Sequence, residues 1–103
     1  MDKRTPTYDL DAFKRVFAMA GRLSVTGTAL RTAAAMGCGR DEIVATIQTM
    51  KRRHFVKSMT SHTDYRTWQD VYHVPRGAVV VYLKFTADVV TEFRLLSFKE
   101  RNK

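Results

Sequence analysis

The hydrophobic period of this chain changes once, at Phe55, and that switch limits what it can fold into. Before Phe55 the apolar residues recur at the three- and four-residue spacing of amphipathic helices. After it they alternate, as strands do. Helices followed by a meander of strands give an α+β domain, with three helices on one side of a mainly antiparallel sheet. A length of 103 residues supports one such domain, residues 1–103, around a single modest core. No internal repeat or low-complexity segment interrupts it.

The first half reads as scaffold. Asp9 caps a helix whose stripe is Leu10, Phe13, Val16, Phe17 and Ala20, and Gly21 ends it. Arg22 to Val25 is a short strand or a linker. Thr26 or Thr28 caps a second helix with Leu30, Ala33, Ala34 and Met36 inward, closed by Gly37. The run from Arg40 to His54 predicts a third, with Ile43, Val44, Ile47 and Met50 as its apolar face. Asp41 and Glu42 fall in its first turn and Lys51, Arg52, Arg53 and His54 in its last, as the helix dipole favours.

Strands are predicted at Phe55 to Thr60, Tyr65 to Val74, Val79 to Thr86 and Phe93 to Lys99. Pro75, Arg76 and Gly77 read as a turn, Ala87 to Thr91 as a connecting loop, and Arg101 to Lys103 as a basic tail. Alternation puts Val81, Leu83 and Phe85 in the core. It leaves Val80, Tyr82, Lys84 and Thr86 on the open face, and places Lys99 in a row with Ser97, Leu95 and Phe93.

Charge narrows the function. Eighteen Lys and Arg against ten Asp and Glu give a net charge of +8 and favour a polyanionic partner. Residues 1–50 carry 7 basic and 5 acidic side chains, whereas residues 51–103 carry 11 and 5, so the second half builds the basic surface. The single cysteine, Cys38, excludes a disulfide framework and suits a reducing, cytoplasmic setting. No apolar run has the roughly 20 residues needed to span a bilayer, and no membrane role or export signal is expected. One cysteine and three scattered histidines have no ligand-like spacing, so no metal and no small-molecule cofactor is expected.

The segment FVKSMTSHTDYRTWQDVY, Phe55 to Tyr72, gathers a lysine, two hydroxyls and an amide around a polar turn. Its pattern FxKSMTxxxDxxxWQDVY resembles the hallmark of MqsR-type toxins, bacterial mRNA interferases of type II toxin–antitoxin pairs. KRTP at Lys3 to Pro6, VYLK at Val81 to Lys84 and SFKE at Ser97 to Glu100 add to the resemblance, which is dense from 55 to 100 and thin in the helices. The resemblance implies a RelE-like α+β fold and ribosome-independent, metal-independent cleavage of single-stranded mRNA, halting translation. It also implies neutralisation by a zinc-binding, DNA-binding antitoxin. Carried over by position, the active-site residues fall on Lys57, Gln69, Tyr82 and Lys99. The loop from Ala87 to Thr91 is longer than the family's, and His62 and His73 stand where the family has no histidine.

The chemistry is coherent on its own terms. Attack by a ribose 2′-hydroxyl on the adjacent phosphate needs charge stabilisation and proton transfer, and both can come from side chains. Lys57 and Lys99 are the expected charge stabilisers, Gln69 a positioning amide, and Tyr82 a proton-transfer partner with a pKa depressed by neighbouring cations. Convergence of Lys57, Lys84 and Lys99 would lower at least one lysine pKa. Arg76, Lys84 and His73 are expected to contact the RNA. Plainer readings exist for each: Lys57 as an edge charge, Tyr82 as an amphipathic face residue, Lys99 as solubilising charge, Gln69 as a cross-strand hydrogen bonder. Trp68 is expected in the core. Two competing functions remain at this level, a non-catalytic nucleic-acid binder and a docking module for an acidic protein.

Overall fold

The computed structural model describes residues 1–63, 66–87 and 93–101. In chain order the elements are strand β1 (Asp2–Lys3), helices α1 (Leu10–Val16), α2 (Gly27–Ala35) and α3 (Arg40–Gln48), then strands β2 (Phe55–Thr60), β3 (Trp68–Arg76), β4 (Val79–Ala87) and β5 (Phe93–Glu100). The five strands pair antiparallel in the order β1-β2-β3-β4-β5. The expected α+β architecture is therefore present, with an N-terminal edge strand that periodicity did not reveal. A two-residue strand has no period to read.

Helices and sheet meet in one core. Phe13 and Phe17 from α1 and the turn after it, Ala29 and Ala33 from α2, and Ile43 and Ile47 from α3 bury against Tyr72, Val74, Val81, Leu83, Phe85, Leu95 and Phe98. Phe13 lies flat on Phe85 at 3.8 Å, with Phe17 edge-on to it. Only one face of the sheet is covered this way, so the other is free to carry polar side chains.

Several local features differ from the sequence reading, each for a physical reason. The first helix stops at Val16 rather than near Ala20, because Gln48 Nε2 donates to the carbonyls of Lys14 and Phe17 and satisfies its end. Gly21 then lies in a separate 3₁₀ turn, Ala20–Arg22. Thr26 is the cap of α2, accepting from Ala29 N–H, and Ala34 faces solvent while Ala29 is buried. Gly37, at φ +78°, ends α2 with Cys38 N–H bonded back to Ala33, the left-handed closure that glycine allows.

The third helix ends at Gln48, so Lys51 to His54 are not its last turn. Arg52–His54 form their own 3₁₀ turn, in which His54 Nδ1 accepts from Lys51 N–H at 3.0 Å. Pro75 and Arg76 belong to β3, and the turn is Gly77 and Ala78, with Gly77 at φ +59°. Proline is tolerated there because β2 pairs no further along β3 than Tyr72, which leaves that edge without a ladder to break. The predicted start of this strand at Tyr65, the loop residues 88–91 and the tail residues 102–103 lie outside the described residues.

Buried Asp70 ties the N-terminal segment to the sheet. Its carboxylate accepts from Thr7 N–H at 3.1 Å and from Tyr8 N–H at 2.9 Å, and Ser58 beside it bonds the Thr7 hydroxyl at 2.7 Å. Charge-assisted bonds of this kind contribute roughly 1.5–3 kcal/mol each when intact. They hold the N-terminal chain across the end of the sheet and so bring β1 alongside β2.

Candidate functional site

The uncovered face of the sheet is built by register. Lys57 on β2 pairs with Val71, Val71 with Lys84 on β4, and Lys84 with Ser97 on β5. In the adjacent row His73 pairs with Tyr82, and Tyr82 with Lys99. Gln69, opposite Met59, continues the face on the other side of Val71. Thus Lys57, Gln69, His73, Tyr82, Lys84 and Lys99 share one surface, spread over four strands about 4.8 Å apart. Val71 is fully buried beneath them, an apolar floor outside the helix-side core.

Two β-bulges aim the outermost lysines. Between Phe55 and Lys57 the ladder slips by one residue at Val56, so Phe55 turns to the core against Tyr72 while Lys57 turns away. On β5 the slip falls at Leu96. Leu95 and Phe98, three apart, are both buried, and Ser97 and Lys99 face outward. Simple alternation had put Lys99 in a row with Leu95 and Phe93. The bulge overrides it, re-aiming a side chain as bulges commonly do.

Local electrostatics differ from the expectation in one respect. Lys84, half-buried, has its pKa lowered by burial and then by the Lys99 ammonium, the like-charge effect anticipated for a lysine cluster. Tyr82, however, has its pKa raised, not depressed, because burial disfavours the phenolate. Its hydroxyl keeps its proton and so is available as a donor. The Lys99 ammonium lies 5.3 Å from the Tyr82 ring centre, a cation–π contact.

His73 has its pKa lowered by burial and by Arg101. Arg101 Nη1 lies 3.5 Å from His73 Nδ1, and a guanidinium can only donate. Nδ1 therefore accepts, and in the neutral ring Nε2 carries the proton. His73 thus presents an N–H donor beside Tyr82.

Arg76 is not brought to this face. It donates to Thr46 Oγ1 at 3.3 Å and lines a cleft with Ala45, Thr49, Pro75 and Gly77 on the helical side. Arg76 therefore does not share this surface with the lysines. Trp68 is not a core residue either: it is partly exposed, with the Lys3 ammonium 4.3 Å above its ring. His62 is exposed in the turn after β2, as expected. Among the described residues no three of His, Cys, Asp and Glu gather into a metal-ligand set, and no helix is long and apolar enough to cross a membrane.

One residue of this surface escaped the sequence reading. Asp2 on β1, opposite Met59, reaches Lys57: Nζ donates to Oδ2 at 3.5 Å. Nothing in the sequence links residues 55 positions apart, and only the pairing of β1 with β2 reveals it.

What this arrangement can do is bind a phosphodiester. A preorganised group of ammonium, phenol, imidazole and amide donors over an apolar floor stabilises added negative charge without reorganising. Comparison with known proteins points the same way. The family model described as "Motility quorum-sensing regulator, toxin of MqsA" matches residues 5–100. The chain is also similar to a protein of Escherichia coli (strain K12), "mRNA interferase toxin MqsR", 37% identical over 101 residues that cover 98% of this chain and 100% of that protein.

Proposed function

This chain belongs to the MqsR toxin family, and from that premise we propose that it is an endoribonuclease toxin that cuts mRNA on the uncovered face of its sheet. The observation that carries the site is the register that assembles Lys57, Gln69, Tyr82, Lys84 and Lys99 on one surface. The substrate is single-stranded mRNA, cut at short sequence contexts without the ribosome, which places the work in the cytoplasm. A single toxin domain, residues 1–103, carries the whole reaction.

In this reading the ribose 2′-oxygen attacks the adjacent phosphorus. The 2′-hydroxyl gives its proton to solvent water as the 2′-oxygen–phosphorus bond forms; the bond to the 5′-oxygen breaks and that oxygen takes up a proton, leaving a 2′,3′-cyclic phosphate and a 5′-hydroxyl. Lys57 and Lys99 offset the charge that builds on the phosphoryl oxygens. Protonated Tyr82 and the His73 N–H donate to those oxygens, and Gln69 positions the nucleotide. Lys84, whose pKa is lowered by burial and by the Lys99 charge, donates the proton that the departing 5′-oxygen takes up.

The family description names this group as the toxin of MqsA, so a cognate antitoxin is the partner. A zinc-binding, DNA-binding protein that neutralises the toxin suits that role. Purified protein incubated with synthetic single-stranded RNA in EDTA should yield discrete fragments with cyclic phosphate ends. Lys57→Ala and Tyr82→Phe should each cut more slowly by roughly two orders of magnitude. Intact RNA with the unmodified protein would overturn the activity, and full rates in both variants would overturn the site.

A further inference from the structure

We propose that Asp2 is a positioning residue for Lys57, a carboxylate from the first strand that holds the ammonium over the sheet and yields to the RNA phosphate when substrate arrives. The inference rests on the reading of Lys57 as a charge stabiliser. Three observations converge on it. First, the Asp2 carboxylate contacts the Lys57 ammonium at 3.5 Å, although it is carried by a different part of the chain. Second, β1 is only two residues long, yet it is fixed at both ends. Thr60 N–H bonds the carbonyl of Met1, and Thr7 and Tyr8 are bonded to buried Asp70. The carboxylate is therefore delivered by an anchored backbone rather than by a loose terminus.

Third, the pair is solvent-exposed, the side chains being 55% accessible for Asp2 and 35% for Lys57. An exposed pair of this sort adds little to folding stability, so anchoring a strand to make one has little structural return. Its effect is on Lys57. A free lysine side chain samples many rotamers and loses that freedom on meeting a phosphate. With Asp2 beside it, part of the loss has already been met by folding.

The same carboxylate repels a polyanion, and this gives the proposal a signature. Removing its charge should weaken catalysis and strengthen binding together. For Asp2→Asn we expect kcat to fall about tenfold. The dissociation constant for an RNA blocked by a 2′-deoxy nucleotide at the cleavage position should fall about threefold. Asp2→Glu keeps the charge and can still reach, so both quantities should return toward those of the unmodified protein.

A purely structural role for Asp2 would instead lower the melting temperature and weaken binding and turnover alike. The proposal is overturned if Asp2→Asn leaves kcat unchanged, if it weakens RNA binding, or if Asp2→Glu behaves like Asp2→Asn. Failure of the underlying reading looks different: the unmodified protein would leave RNA intact, and this inference would fall with it. Cleavage by the unmodified protein, with Asp2→Asn matching it in rate and affinity, would remove Asp2 alone.

Discussion

Lys84 shows how a single side chain takes its chemistry from its neighbours. Its side chain is half-buried in the row that Val71 and Ser97 share and feels the Lys99 charge, and both effects disfavour the protonated form. The sign for stability follows by linkage. A cation whose folded pKa lies below its unfolded one binds fewer protons when folded, so stability rises with pH through that interval, just below the ordinary lysine range. Replacing Lys99 with Met removes the second cause, and the Lys84 pKa should move upward. A titration of the Lys84 side-chain signal by NMR reads this directly and does not depend on activity. No upward shift would mean that the two ammonium groups do not face one another.

Tyr72 carries the opposite kind of information. It is fully buried against Phe55 and Phe85, and its hydroxyl finds no hydrogen-bond partner among the described residues. Burial, followed by the charge of Asp70, pushes its pKa up to about 12. An unmet buried donor costs about 1–3 kcal/mol, so Tyr72→Phe should leave stability unchanged or raise it by about 1 kcal/mol. For a chain of this size that is a rise in melting temperature of roughly 4–8 °C. A clear loss of stability would show that the hydroxyl has a partner after all.

At the scale of elements, the two bulges explain how much of the site could be read from sequence. The strands themselves were legible: Phe55 to Thr60 matches β2, and Val81, Leu83 and Phe85 are buried as alternation requires. Tyr82 and Lys84 face outward for the same reason. The row of Lys99 was misread only in including Leu95 and Phe93, because period two holds only while the ladder is regular, and Leu96 adds one residue that no pattern in FRLLSFKE announces. Asp2 was missed because β1 is too short to have a period. Arg76 was misplaced because Pro75 and Gly77 suggested a turn one residue pair too early, where the strand in fact continues on the helical side.

Those bulges also predict where the sheet tolerates deletion. Removing Leu96 leaves Leu95, Ser97, Phe98 and Lys99 in plain alternation, with Leu95 and Phe98 still inward. The variant should fold, losing about 1–2 kcal/mol with the bond from Thr26 Oγ1 to the Leu96 carbonyl. Deleting His73 from the regular β3–β4 ladder should be far worse, because a one-residue slip turns every following side chain to the wrong face. Thermal unfolding of the two variants makes the comparison. Equal damage from both would mean that Leu96 is not the extra residue.

For the molecule as a whole, the direction in which the positive charge faces decides where RNA binds. The net charge of +8 attracts any polyanion, so affinity for RNA alone does not locate the binding surface. Salt dependence does. Each phosphate neutralised on a single strand contributes about −0.7 to the slope of log affinity against log salt. Lys57, Lys84 and Lys99 share the uncovered face, whereas Arg76 is turned to the helices and bonded to Thr46. Replacing the three lysines together with Met should therefore flatten the slope by about 2 for a non-cleavable RNA, three phosphates at about 0.7 each. Arg76→Met changes the net charge by one away from that face, and its slope should match that of the unmodified protein. A slope that tracks total charge whichever residue is replaced would place the RNA everywhere on the surface, and the register of the sheet would then have no bearing on where cleavage occurs.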